Sequence, residues 1–462
     1  MDTDSVIKAG WGSADITPRG GKISLVGQWE VRVTDVIKDP IYANAMVLQS
    51  NGRRVIWVAC DLCVISQSLS DEVKRLLYKS LPGFTGDELI LSATHIHTGP
   101  NTNTNPFTTL LDDRGDPPDT IPSAECCRQA AVGIEAAVLQ AVSSLKPSRF
   151  DFAVSYTITG VSRRVSYMDG TGAMYGDIKK PEFMGMEGRD GGPIQILYAR
   201  DIVSGVLTGV IAAVPCTAQA DEMGLYVTAD YWAAARDVIK KNLGEDVCVL
   251  GLIRSAGDLS PHTMVDGGAL IEQLYGATGA VDMGRRIGGA VVKSADDILR
   301  SYSLDTVFKH VSVTTPLPLW TCCEQGYEEA KAYKQSIGTA GLGPLNDMMA
   351  YSTALAKIKR YESGQTEYPA NFHALRIGDV VFITNPFEMY IEYADRIRAA
   401  CPEAQVIDVQ LAGDDCLGYM PTQKAIEAGG YSTKIFSCFS DADGGEKTVS
   451  LSVALIKDMF RY

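Results

Sequence analysis

The 462-residue sequence predicts an α/β fold, a single domain over 1–462 with mixed β-sheets flanked by helices. Two observations predict it. Short runs of branched apolar residues, the length of buried strands, alternate with longer amphipathic stretches. No linker, internal repeat or low-complexity tract separates them. Apolar residues make up 46% and charged residues 21%, the balance of a globular protein with a sizeable core. A net charge of -14 argues against nucleic acid and anionic membranes as partners, since both need clustered Lys and Arg. No run approaches the roughly 20 apolar residues of a membrane span.

Residues 41–48 and 54–62 read as strands joined at Ser50-Asn51-Gly52, a strong hairpin signal. The second runs into Asp61, an acid whose burial needs a partner; it is expected to orient one of the histidines below. A helix over 69–82 leads to a strand over 88–93, which ends in Thr94-His95-Ile96-His97-Thr98-Gly99-Pro100. Strand alternation would put His95 and His97 on one face. Paired imidazoles at a strand end suit a metal site, or else form a hydrogen-bonded pair beneath a loop. The polar stretch 101–122 and the Gly- and Met-rich stretch 167–193 read as long loops walling a pocket. Between them come a helix over 123–145 and a strand over 149–159 that ends near Arg163 and Arg164.

Strands over 194–198, 206–214 and 247–253 follow, with a helix to about 243. The second of these strands ends at Pro215-Cys216-Thr217. Helices are expected over 279–302, 323–337, 344–363, 389–399 and 447–459, and strands over 372–377, 380–384 and 405–410. The N-terminus lacks the basic-then-apolar pattern of a signal peptide. Eleven cysteines, an odd number including the adjacent pairs Cys126-Cys127 and Cys322-Cys323, do not form a disulfide framework and predict a cytoplasmic protein. The expected partner is a small-molecule substrate, without membrane insertion; a homo-oligomer is left open.

The segment Thr94–Pro100 resembles the T-H-T-H-S-G-P signature of the neutral/alkaline non-lysosomal ceramidases. Ala9–Pro18 is similar to that family's G-x-x-x-D-I-T-P opening, and Ser255–Pro261 to its N-x-G-D-L-S-P segment. Asn385–Glu388 resembles its P-G-E element, and Gly418–Thr422 with Tyr431 its paired tyrosines. The resemblance implies a ceramidase-like catalytic domain, with no room in this chain for the family's C-terminal β-sandwich. It also implies a zinc ion (Zn2+) held by His95, Glu388 and Tyr419.

The family's second zinc histidine has no counterpart, because C-H-P-T stands here as Val214-Pro215-Cys216-Thr217. Cys216 is the expected replacement, thiolate being a good zinc ligand. The alternatives are an inert buried thiol, or a one-residue slip that puts Pro215 there; His262 is a reserve ligand. The resemblance assigns His97 and Tyr431 as oxyanion donors and Arg163 and Ser260 as substrate contacts. Asp258 is expected to shape the turn carrying Ser260. Zinc lowers the pKa of its bound water from about 16 to about 7, and the hydroxide attacks a carbonyl.

The expected function is therefore a zinc hydrolase cleaving an amide bond of a small polar or N-acylated substrate. An esterase or lactonase, a true ceramidase and a catalytically silent small-molecule binder are the alternatives. No G-x-S-x-G elbow is present to support a serine hydrolase.

Overall fold

Trp57 and its neighbours show how the layers stack. On the strand Arg53–Cys60, Ile56 and Val58 enter one core while Trp57 enters another, as alternation on a strand requires. Trp57 packs edge-on against Phe382 of a second sheet, with ring centroids 5.4 Å apart. In this computed structural model, residues 6–104, 115–265, 275–302, 306–337 and 345–461 are described.

The larger sheet has nine strands. Across it run Cys248–Ile253, Leu207–Val214, Ile194–Asp201, Lys146–Ser155, Lys8–Asp15, Tyr42–Ser50, Arg53–Cys60 and Leu89–Ala93, with Arg300–Tyr302 paired beside Lys146–Ser155. The second sheet orders Phe308–Pro318, Glu367–Ile377, Val380–Thr384 and Gln405–Val409. Ile7, Met46, Trp57, Phe152 and Leu250 of the first meet Leu375, Phe382 and Val409 of the second in one apolar layer.

The outer face of the large sheet is covered by the helices Gln67–Ser80, Ser123–Ser143, Tyr231–Leu243 and Gly276–Ser294. The outer face of the second sheet is covered by Ile391–Ala400 and Ala442–Met459. The order is helix, sheet, sheet, helix. Because both faces of each sheet are covered, the central strands read as near-continuous apolar runs.

The predicted α/β class with mixed sheets stands. Lys8–Asp15, read above only as part of a motif, is a central strand, and Phe308–Pro318 is a strand the sequence reading omits. Residues 167–193 are not one open loop. Arg164–Tyr167, Gly172–Met174 and Phe183–Met186 pair there in a three-stranded sheet. Of the predicted loop 101–122, residues 105–114 lie outside the described residues. Among the described residues no helix is long and apolar enough to cross a membrane.

Candidate metal and hydrolytic site

Three parallel strand pairs build the site. Arg53–Cys60 lies beside Leu89–Ala93, Leu207–Val214 beside Cys248–Ile253, and Val380–Thr384 beside Gln405–Val409. Parallel neighbours end at the same edge, so the segments leaving them meet, as at the carboxyl edge of other α/β sheets. Backbone bonds stitch these segments together: Ala93 N to Leu411 O at 3.0 Å, Ala218 N to Thr94 O at 3.2 Å, and Gly257 N to Met389 O at 2.9 Å. A Cβ on Gly257 would lie 2.2 Å from the Glu388 carbonyl oxygen, so the approach needs glycine.

The histidine motif is not a continued strand. Its strand ends at Ala93, and His95 adopts a left-handed backbone with φ 60°. The two imidazoles still converge, with Nε2 to Nε2 at 3.2 Å. His95 Nδ1 lies 2.7 Å from the Cys63 carbonyl oxygen, which can only accept, so Nδ1 carries the proton and Nε2 a lone pair. His97 Nδ1 lies 3.3 Å from Glu222 Oε2, an ionic contact, and accepts from Gln28 Nε2 at 3.3 Å, so its Nε2 carries the proton. Gln28 Nε2 donates to that carboxylate at 2.9 Å. Arg32, itself buried, donates to the His97 carbonyl oxygen and holds the turn.

The His97 Nε2 proton therefore points at the His95 Nε2 lone pair, the lone pair a metal would take. Glu388 supplies the charge. Its Oε2 is 3.5 Å from His95 Nε2, an ionic contact too long and poorly directed to be a hydrogen bond. The same oxygen is buried with no hydrogen-bond partner. An orphaned, buried carboxylate oxygen beside an imidazole lone pair fits a bound metal cation.

The electrostatics agree. Burial pushes His95 down, but the Cys63 thiol and the Glu388 carboxylate outweigh it and hold His95 well above its ordinary value. His97 is pushed down by burial and by the neighbouring His95. Glu388 stays below its usual range despite burial, because His95 and Arg163 favour its charge.

Tyr419 pairs with Glu388 across a short parallel bridge. Arg163 Nη2 donates to the Tyr419 hydroxyl at 3.2 Å and to the Gly257 carbonyl at 2.8 Å. Arg163 Nη1 donates to the Tyr175 hydroxyl at 3.1 Å, and Tyr175 in turn donates to Ser260 Oγ at 3.1 Å. The Tyr431 ring meets Tyr419 edge-on, 5.9 Å between centroids. His95, His97, Glu388, Tyr419, Tyr431, Arg163 and Ser260 thus belong to one connected cluster.

Cys216 does not join it. Its thiol is fully buried in the apolar core and donates to the Thr217 carbonyl oxygen at 3.4 Å. Burial pushes that thiol up, which opposes the thiolate a metal needs. Among the described residues, the histidine–cysteine group whose ligand atoms lie within 4.8 Å of one another is Cys63, His95 and His97. Burial at a strand end made Cys216 resemble a ligand, but its side chain turns into the core.

Two other expectations change. Asp61 binds no histidine: its carboxylate takes two bonds from Arg236, at 2.6 and 2.7 Å, and one from Thr94 Oγ1 at 3.2 Å. His262 stacks on Tyr275 and lies 3.4 Å from Ser260 Oγ, away from the ligand group. Asp258 accepts from Ile391 N at 2.8 Å, which ties its segment to the helix that begins there. Sequence reasoning missed Cys63, Glu222, Gln28 and Tyr175. Only Cys63, two residues beyond the conspicuous Asp61, carried any signal.

Residues 7–167 match the sequence model of a family described as neutral/alkaline non-lysosomal ceramidase, N-terminal. The neutral ceramidase of Pseudomonas aeruginosa is 32% identical over 101 residues, 21% of this chain and 15% of that protein. Neutral ceramidase A of Dictyostelium discoideum is 32% identical over 104 residues, 22% of this chain and 15% of that protein. The match thus spans about a seventh of the length of these curated relatives. The fold is similar over 98% of the chain to the crystal structure of the Pseudomonas aeruginosa neutral ceramidase, with TM-score 0.69, 19% identity and 75% of that chain covered. A structure described as ceramidase complexed with C2 gives TM-score 0.71 at 18% identity, covering 98% of this chain and 76% of that one. Residues 7–167 are thus similar in sequence to the neutral/alkaline non-lysosomal ceramidases, and the fold of the chain is similar to that of a neutral ceramidase.

Proposed function

We propose that the protein is a zinc-dependent hydrolase cleaving an amide bond of a small polar or N-acylated substrate. The observation that carries this reading is the orphaned Glu388 Oε2 beside the lone pair of His95 Nε2. His95 through Nε2, Glu388 through Oε2 and Tyr419 through its hydroxyl would hold the metal. Zinc bound there supplies a Lewis acid and a water that ionises near neutral pH.

The chain's own groups do the rest. His97, its Nδ1 bound by Gln28, donates from Nε2 to the carbonyl oxygen as that oxygen gains charge. Tyr431, beside Tyr419, donates to the carbonyl oxygen as it gains charge. Arg163, held strongly protonated by the surrounding tyrosines despite its burial, fixes the Tyr419 and Tyr175 hydroxyls. Ser260, bonded to Tyr175, borders the substrate on that side.

An apolar cavity of about 540 Å³ borders Tyr431, lined also by Met349, Ala354 and Phe436. It favours the N-acylated arm of the reading, with the acyl group seated beside the oxyanion donor. An esterase or lactonase would use the same groups. The eleven unpaired cysteines support a reducing, cytoplasmic setting.

Elemental analysis of protein purified without added zinc, followed by a panel of N-acyl amino acids, acyl amines, lactones and ceramide, tests the reading. One zinc per chain with amide turnover is the expected result. Bound zinc without turnover on any member would leave a silent binder, and turnover confined to lactones would replace the amidase.

A further inference from the structure

Cys216, the metal ligand expected from the resemblance, is core packing. A different sulfur stands at the site. Cys63 leaves the end of the strand Arg53–Cys60, parallel to the strand that delivers the histidines. Its carbonyl oxygen takes the His95 Nδ1 proton at 2.7 Å, so the Cys63 backbone and the imidazole are locked together. That bond sets its Sγ beside the ring, 3.9 Å from Nδ1. One ligand atom from each of Cys63, His95 and His97 lies within 4.8 Å of the other two. The independent sign of a cation is Glu388, 8% exposed, with Oε2 unpartnered and turned toward His95.

We infer that Cys63 is the sulfur ligand of this metal site, bound as thiolate in the company of His95 and Glu388. The inference rests on the reading that the site holds zinc. Sulfur, nitrogen and carboxylate oxygen together match the ligand preference of zinc and cobalt, and disfavour magnesium and calcium, which prefer oxygen alone. The thiol proton leaves on binding, so uptake of one divalent ion releases a proton from Cys63. The neighbouring thiol Cys416, pushed well up by burial and by Glu388, is the internal comparison.

Two measurements on the full chain test this. Zinc-edge X-ray absorption of the wild-type protein should show one sulfur scatterer at about 2.3 Å. The cobalt(II)-substituted protein should show a near-ultraviolet sulfur-to-metal charge-transfer band. That band should vanish in Cys63→Ser, with affinity for the metal reduced at least tenfold, and persist in Cys216→Ser and Cys416→Ser. A first shell of nitrogen and oxygen only, or a band that survives Cys63→Ser, overturns the inference. The X-ray measurement needs no variant, so a misfolded Cys63→Ser leaves the test intact. Zinc bound without sulfur, together with amide turnover, rejects Cys63 and keeps the hydrolase reading. A sulfur ligand without turnover on any substrate keeps Cys63 and rejects the hydrolase.

Discussion

Replacing Asp61 by Asn separates two roles for that acid: orienting a zinc histidine, or anchoring the strand end that precedes it. Its carboxylate is 0% exposed and takes both ends of the Arg236 guanidinium, at 2.6 and 2.7 Å. It also accepts from Tyr42 N at 2.9 Å and from Thr94 Oγ1 at 3.2 Å. Asn preserves the shape but removes the charge, leaving the Arg236 guanidinium buried without a counter-ion. Breaking a buried pair from one side costs about 3–5 kcal/mol. That is a large fraction of the roughly 5–15 kcal/mol that holds a domain folded.

The zinc affinity of the folded protein should stay within about threefold of wild type. Thr94 N bonds to Cys60 O and His95 N to Leu62 O, both at 2.9 Å, so backbone rather than Asp61 aims the imidazole. Chemical denaturation of the metal-free protein and metal titration of the folded protein provide the two numbers. Combining Asp61→Asn with Arg236→Met should recover much of the loss, because the unpaired charge is gone. A destabilisation under about 1 kcal/mol, or a tenfold loss of zinc affinity with the fold intact, would refute the anchoring argument.

His95→Ala should abolish both zinc and turnover, whereas Tyr431→Phe should keep zinc and lose about 10²–10³ in kcat; metal content and steady-state rates read both. Glu222→Gln removes the charge that faces His97 and anchors Gln28, and should cost about 10–100-fold in kcat/KM, with substrate binding little changed. Cys216→Ser should keep zinc and rate and cost only about 1 kcal/mol of stability, since the hydroxyl can donate to Thr217 O as the thiol does; loss of metal would reinstate it as a ligand.

Burial, and then the nearby Asp414, raise Asp415 from 3.8 to about 7, against bonds from Gln67 N and the Tyr368 hydroxyl. A carboxyl raised by folding adds stability that is fully present below its unfolded value and lost as pH rises through the folded one. Unfolding free energy should therefore fall between 3.8 and about 7, and Asp415→Asn should flatten that slope in denaturation curves taken across this range.

The contrast between Cys63 and Cys216 shows where sequence reading runs out. Both are thiols a few residues past a strand end, and both are buried. Family alignment favours Cys216. Which of the two faces the histidines depends on how each segment leaves its strand, and that is decided by contacts with segments far along the chain. Glu222 is hidden for the same reason: nothing in Ala220-Asp221-Glu222 signals a partner for His97, 125 residues earlier.

The histidine pair sits between these cases. Its convergence is legible from the motif, but it is reached through a left-handed turn at His95 and not by strand alternation. By itself the sequence determined the α/β class, most strand and helix positions, and the motifs that carry His95, Arg163, Ser260, Glu388 and Tyr419. The elements follow from local apolar periodicity, and the site residues were legible through the resemblance of short motifs to a known family, which a linear string also records. Only the tertiary structure decided that two sheets stack with helices outside, that Asp61 serves Arg236, and that Cys63 rather than Cys216 stands beside the imidazoles. Those outcomes depend on which distant side chains share a desolvated space, and that is set by packing of the whole chain at once.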